Sequence, residues 1–177
     1  MIVVLVNGLP GAGKTTVARA LGAELGLPVF SKDDLKETLA DMLERPAGIG
    51  VREWSRMLGA AAGESMWTLL RSAGRGAVLE SPWPAPLRPV VLAGLAKAAV
   101  APERVREVWC DVPPELARRR YESRVRHAVH CDADVDDARW REWVAGAEPL
   151  GLGPVYWLDT SKSLDISGLA ELCGAPQ

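Results

Sequence analysis

Residues 8–15 read Gly8-Leu9-Pro10-Gly11-Ala12-Gly13-Lys14-Thr15, with Thr16 next in line. Every fixed position of the pattern G-x-x-x-x-G-K-[ST], the phosphate-binding P-loop or Walker A motif, is filled. The flanks supply the setting that the motif needs. Before it, Ile2-Val3-Val4-Leu5-Val6 is a short apolar run rich in β-branched residues, as suits a buried parallel strand. After it, Thr16 to Leu25 reads as a helix, with Val17, Leu21 and Leu25 on one face and Ala18, Ala20 and Ala23 as good helix formers.

Each residue type in the loop has a physical task. Gly8, Gly11 and Gly13 allow backbone conformations that a Cβ would obstruct, so that successive N–H groups converge on a phosphate. Pro10, Ala12 and Thr16 complete the predicted nucleotide-binding set. The following helix aims its N-terminus, with unpaired N–H groups and the positive dipole end, at the same anion. Lys14 supplies a cation for the β- and γ-phosphates, and the Thr15 hydroxyl is placed to ligate Mg²⁺. ATP and Mg²⁺ are therefore the expected cofactors.

The 177 residues suit one domain, expected to span 1–177, with a sizeable core. A hydrophobic content of 48% with 25% charged residues is globular composition and excludes wholesale disorder. The net charge of −2 gives a long nucleic acid no general attraction, although a local patch could still bind one. Cys110, Cys131 and Cys173 are odd in number and lack C-x-x-C spacing, which suggests neither a disulfide framework nor a zinc site. No run of about 18 apolar residues exists to span a membrane. The N-terminal apolar run has no basic flank and leads straight into the loop, so it reads as a strand and not a signal peptide. A reduced, cytoplasmic enzyme is the expectation, as a monomer or a homodimer.

Further along, Leu27 to Ser31 reads as a second strand, and Lys32-Asp33-Asp34 as a helix start leading into Leu35 to Leu43. After a break at Pro46 to Gly50, a long helix runs from about Arg52 to Ser72, with Trp54, Met57, Leu58, Ala61, Met66, Leu69 and Leu70 as its apolar stripe. Ala77 to Ser81 is a third strand. Pro82-Trp83-Pro84-Ala85-Pro86 is a stiff loop, since prolines fix φ and remove donors. Helix at Leu87 to Ala99, strand at Val105 to Val112 and an Arg-rich helix from Pro113-Pro114-Glu115 follow. Asp132 to Asp137 is an acidic loop or helix start, and a helix through Trp140 and Trp143 ends near Gly146. Val155 to Asp159 is a fifth strand, and Ile166 to Cys173 a last helix. Such alternation implies a parallel sheet covered on both faces, with ligands at the C-terminal ends of its strands.

Candidate residues gather at those ends. A carboxylate just past strand two can face the γ-phosphate and accept a hydroxyl proton, and beside a P-loop Asp33 is favoured for that role, with Asp34 as helix cap or second choice. Lys36 could bind substrate or simply be exposed. Glu80 ends an apolar strand and could serve Mg²⁺, a substrate group or a local ion pair. Asp111 and Asp159 read as turn caps. Five arginines crowd between Arg118 and Arg126. Within them Arg120 and Arg124 are four apart, so that on a helix they share a face and could clamp phosphates as a lid closes. His127, His130 and Cys131 lack a fourth metal ligand and suggest a structural or substrate-side role. Trp54 and Trp83 could line a substrate pocket.

Together these residues resemble the P-loop kinases grouped around chloramphenicol phosphotransferase, zeta-type toxins and the kinase domain of bacteriophage polynucleotide kinase. The resemblance is carried by Gly8 to Thr16, by Ser31-Lys32-Asp33-Asp34-Leu35-Lys36, and by Asp111-Val112-Pro113 leading to Arg120 and Arg124. It implies a three-layer α/β/α P-loop NTPase fold whose five-stranded parallel sheet runs 2-3-1-4-5, with an Arg-rich lid around 114–132. It also implies Asp33 as general base and Arg120 and Arg124 as lid arginines. Lys32 and Lys36 stand where the polynucleotide kinase has arginines, which keeps the charge but not the fork. Arg45 to Met57 and Ser81 to Arg88 depart from the group's pattern. The expected activity is ATP-dependent transfer of the γ-phosphoryl group to a hydroxyl of a small molecule, with catalysis by Lys14, Asp33, Arg120 and Arg124. A 5′-hydroxyl of RNA or DNA, or a nucleoside or nucleotide, is the alternative acceptor; mild acidity weighs against a polymer. A slowly hydrolysing nucleotide switch is the alternative of another class, although no Asn-Lys-x-Asp guanine signature is present.

Overall fold

The structure, a computed structural model, describes residues 1–132 and 135–174. Ala133 and Asp134, part of the expected acidic loop, and 175–177 lie outside the described residues. In chain order the elements are β1 (Ile2–Gly8), α1 (Lys14–Leu25), β2 (Val29–Ser31), α2 (Lys32–Met42), α3 (Val51–Ser72), β3 (Gly76–Glu80), α4 (Arg88–Lys97), β4 (Val105–Asp111), α5 (Pro114–Ser123), α6 (Asp137–Ala145), β5 (Val155–Asp159) and α7 (Ile166–Gly174). Strands β2-β3-β1-β4-β5 form one parallel sheet in that order. The P-loop follows the central strand, where the order reverses, which is the place a ligand crevice opens in such sheets.

Alternation along the strands sends side chains to two cores. Val4, Val6, Val78 and Val108 meet Val17 and Leu21 of α1, Leu169 of α7, Tyr121 of α5 and Trp140 of α6 on one face. Val3, Leu5, Ala77 and Leu79 meet Met66, Trp67 and Leu70 of α3 and Val91 and Leu95 of α4 on the other. Strands covered on both faces must be apolar throughout, as β1 is.

Two expectations change. The buried row of α3 is Ser55, Leu58, Ala62, Met66, Trp67 and Leu70, whereas Met57 and Leu69 are exposed. The row follows mostly i, i+3 and i, i+4 spacing, one face of a helix that packs on α2, on α4 and on strands β2 and β3. Ser31, not Asp34, caps α2: its hydroxyl accepts from the Asp34 N–H at 3.4 Å, since Ser31 is the last extended residue before the helix. Among the described residues no helix is long and apolar enough to cross a membrane.

One buried polar residue ties the top of the sheet together. Asn7, 1% exposed near the end of β1, uses all its hydrogen-bonding capacity. Its amide donates to the Trp83 carbonyl (2.8 Å) and to Glu107 Oε1 (2.9 Å), and its oxygen accepts from the N–H groups of Gly8 (2.8 Å) and Trp83 (2.9 Å). Glu107 on β4 also accepts from the N–H groups of Leu150 and Gly151, each at 2.9 Å. All of its partners are donors. Glu107→Gln must therefore turn an amide donor toward N–H groups whichever way it is set. We expect a loss of about 1–3 kcal/mol in urea unfolding, the penalty for a buried unsatisfied donor; an unchanged midpoint would show that the network has slack.

Candidate active site

The loop after β1 closes on the rest of the chain at backbone distance. A Cβ on Gly8 (φ +139°) would lie 2.6 Å from the Cys110 carbonyl oxygen, and one on Gly11 (φ +81°) 2.1 Å from that of Ala117. Only glycine fits either place. Helix α1 begins at Lys14 with no side-chain cap and no acid in its first turn, so its leading N–H groups face the cleft. Lys14 is 7% exposed, and its ammonium donates to the carbonyls of Gly8 (3.1 Å) and Leu9 (2.8 Å). Burial lowers its pKa, against the pull of Glu80, Cys110 and Asp33.

A cavity of about 780 Å³ runs from this loop across the ends of β1, β3 and β4. It is lined by Gly8, Pro10, Gly11, Gly13, Lys14, Thr15 and Thr16, and by Asp33, Glu80, Trp83, Arg120 and Arg124. Ala12 is fully buried and outside the lining. The strand ends thus bring one carboxylate from β3 and one from α2 to the phosphate loop.

Asp33 stands in the first turn of α2 and pairs with Arg126, with His130 Nδ1 at 3.9 Å. Burial on its own raises the Asp33 carboxyl, but Arg126, then His130, Lys14 and Lys32, outweigh it and hold the carboxyl below its ordinary value. Arg126 also donates to Asp132 at 3.2 Å. Glu80 is 2% exposed and accepts from the Ser31 hydroxyl at 2.6 Å. Burial raises its carboxyl, with Lys14 and the Ser31 hydrogen bond pulling the other way.

The two histidines extend the Asp33 contact along α2. His130 Nε2 lies 2.7 Å from Glu37 Oε1, and His127 Nε2 lies 3.1 Å from Asp41 Oδ1. Asp33, Glu37 and Asp41 are four apart, so one face of α2 receives Arg126, His130 and His127 in a ladder. Among the described residues no group of three His, Cys, Asp or Glu could hold a metal, and these histidines serve that contact.

Several expected residues stand elsewhere. Arg120 is in the last turn of α5 and donates to the Thr160 carbonyl at 3.1 Å, but the helix ends at Ser123 and Arg124 is extended (φ −85°, ψ 140°). The pair therefore does not share a helix face. Arg124 instead reaches the cleft by lying 4.8 Å from the centre of the Tyr121 ring. Asp34 points outward to Arg19 (3.2 Å) with its side chain 58% exposed, outside the cleft. Lys36 turns into the α2–α3 contact, donating to Ser55 Oγ at 2.9 Å, and is neither exposed nor in the cleft. Trp54 is half-buried on α3 and does not line the cavity. Asp159 closes a turn by accepting from the Ser161 N–H at 2.9 Å.

Asn7, Arg126 and Trp143 line the cavity without having been singled out. An asparagine inside an apolar strand run was a usable signal for the first. Nothing in residue spacing distinguishes Arg126 from its four neighbours in the arginine run.

Residues 3–150 match the family model described as AAA domain. Among solved structures, a "putative kinase" of Chloroflexus aurantiacus is 30% identical with a TM-score of 0.78, over 97% of this chain and 95% of that one. A sugar kinase of Janibacter sp. is 17% identical with a TM-score of 0.61, over 97% and 93%. The APS kinase of Mycobacterium tuberculosis, in complex with AMPPNP and APS, is 24% identical with a TM-score of 0.53, over 97% and 94%. These last two share the fold. No curated protein matches the sequence.

Because Asp33 titrates below its unfolded value, the stabilisation from its ion pairs is complete at about pH 5 and above. It is lost as pH falls through the folded-state pKa. Arg126→Met should raise the Asp33 pKa, read by NMR titration of its carboxyl, and flatten the acid limb of thermal stability. An unmoved titration would remove Arg126 from the account.

Proposed function

The chain belongs to this AAA domain family and has the P-loop NTPase fold, and from that premise we propose that it is an ATP-dependent kinase moving the γ-phosphoryl group to a hydroxyl of a small molecule. The observation that carries the reading is one cleft in which a phosphate loop, two carboxylates and two lid arginines converge. Residues 1–177 are read as a single domain, with 114–132 as its lid.

Phosphoryl transfer asks little covalent chemistry of a protein, so positioning and electrostatics dominate. The loop N–H groups and Lys14 hold the β- and γ-phosphates. Arg120 and Arg124 offset charge that develops on the equatorial oxygens. Asp33, kept ionised by its cationic neighbours, accepts the hydrogen bond that aims the acceptor hydroxyl and then takes its proton. Thr15 and Glu80 would hold Mg²⁺, which would supply positive charge to offset that of the phosphates. The donors suit such an ion: Thr15 and Glu80 offer hard oxygens beside the phosphate cradle, and Mg²⁺ commonly takes one or two protein ligands.

The group around chloramphenicol phosphotransferase remains the family likeness we favour. A 5′-hydroxyl oligonucleotide is the less favoured acceptor, because a net charge of −2 gives no general attraction for it. A passive nucleotide switch would have no use for Asp33 facing the loop.

Transfer from labelled ATP to a panel of hydroxylated small molecules, nucleosides and 5′-hydroxyl oligonucleotides tests the reading. Asp33→Asn should slow transfer by about 10²–10⁴-fold with nucleotide affinity kept, whereas Lys14→Ala should lose nucleotide binding or turnover. Slow ATP hydrolysis indifferent to Asp33 would return the protein to the switch.

A further inference from the structure

Helix α5 stops one residue short of Arg124, and the chain just past it has little to lean on: the Arg124 backbone is extended and Val125 is fully exposed. Backbone geometry therefore does not fix where the Arg124 guanidinium stands. A long side chain left to itself spreads over many rotamers, and a clamp on phosphate needs one of them.

Two groups restrain that guanidinium. It sits over the Tyr121 ring, 4.8 Å from the ring centre, and its Nη2 lies 3.9 Å from Asp132 Oδ2. The second contact is beyond hydrogen-bond distance, and Asp132 already accepts from Arg126 at 3.2 and 3.4 Å. The ring is the firmer support.

Tyr121 is itself well fixed. It is 6% exposed in the last turn of α5 and packs on Trp140 at 5.8 Å and Trp143 at 5.9 Å between ring centres. Its backbone also abuts the phosphate loop, since a Cβ on Gly11 would lie 3.1 Å from the Tyr121 nitrogen. One residue thus touches both the loop that cradles phosphate and a cation that lines the same cleft.

The ring, and not the hydroxyl, is what this residue offers. Burial first, then the Asp132 carboxylate, raise the Tyr121 pKa, yet the hydroxyl meets no partner in bonding geometry among the described residues. A buried tyrosine kept for its hydroxyl would use it. A guanidinium is drawn instead to the negative face of the ring. From that place the charge of Arg124 is felt by both Lys14 and Asp33, which the kinase reading sets on either side of the transferring phosphoryl group.

We propose that Tyr121 is a positioning residue whose ring face holds the Arg124 guanidinium at the γ-phosphate, so that this arm of the clamp is preset against the phosphate loop. The assignment rests on the kinase reading for its nucleotide, but it is measurable without an acceptor.

The test is calorimetric titration, with Mg²⁺ present, of AMPPNP and of ADP, which differ at the γ-phosphate. The readout is the ratio of the two affinities. Tyr121→Leu, checked for an intact melting transition and unchanged stoichiometry, should weaken AMPPNP by about three- to thirtyfold and ADP by less than about twofold. Replacing Tyr121 with pentafluorophenylalanine, which keeps the shape and reverses the charge of the ring face, should do the same even if the leucine variant fails to fold. Tyr121→Phe keeps the face and should keep the ratio. Arg124→Ala should shift the ratio at least as far as Tyr121→Leu, and in that background a change at Tyr121 should add nothing. A purely structural role would lower the melting temperature and leave the ratio unmoved. An unmoved ratio in the Arg124→Ala or pentafluorophenylalanine protein, effects that simply add, or a Tyr121→Phe protein as weak as the pentafluorophenylalanine one would overturn the proposal. No AMPPNP binding by the wild type would overturn it together with the kinase reading. The expected ratios with no labelled product from any acceptor would uphold the positioning and sink the kinase reading alone.

Discussion

The side chain of Asn7 holds the upper half of this molecule in register. A buried primary amide is tolerable only when its donors and acceptor are all matched, and here four partners do so from three segments of chain. One partner is the first N–H of the phosphate loop, two belong to Trp83, and the fourth is Glu107 on β4. The phosphate cradle and the Pro-Trp wall facing it are therefore set by the same side chain. Glu107 passes the constraint on to Leu150 and Gly151, so the return of the chain after α6 is fixed by the same network. All of these bonds but the one to Gly151 are buried, so a missing bond among them costs its full desolvation penalty.

Charge is arranged in the cleft by the same logic of burial. Two cations, Lys14 and Arg126, share the cleft with two carboxylates, Glu80 and Asp33, and burial pushes both Lys14 and Glu80 toward their neutral forms while each opposes that push on the other. Cys110 beside them is pushed up to about 12, so its thiol stays neutral and adds no charge. Exposed pairs such as Arg19–Asp34 and Lys97–Glu64 are of a different order, worth about 0–1 kcal/mol at most. The contacts that shape function are the few shielded from solvent.

Much of this was legible in the residues. The P-loop fixes strand, turn and helix within a few positions, and apolar runs bounded by glycine and proline mark the other strands, because those signals are local. The resemblance supplied the strand order, which the sheet follows. The misreadings concern which way a side chain leaves its backbone. Lys36 read as a substrate-binding or an exposed lysine, yet Ser55 on α3 draws it inward, and that packing leaves no trace nearby in sequence. Arg120 and Arg124 had helical spacing, but α5 ends at Ser123, one residue before the second of them. Asp34 lost the cap to Ser31 because capping is decided by where the extended backbone stops. Arg126 gained its place from a contact ninety-three residues away in sequence, which no local pattern encodes.

The helix carrying Asp33 is anchored unlike any strand in the sheet. Its one buried residue is Lys36, and of its apolar side chains Leu35 alone packs on either core cluster. What holds it is its contact with α3, including the Lys36–Ser55 hydrogen bond, the Asp33–Arg126 ion pair, and two histidine contacts to the 126–130 segment. The ion pair weakens as dissolved ions shorten the Debye length, which is about 8 Å at physiological strength. An element so fastened opens at lower free energy than the strands beneath it, and its amide protons exchange earlier. Ionic strength thereby becomes a dial on how firmly Asp33 is presented, while the phosphate cradle, set in the apolar sheet, does not feel the change.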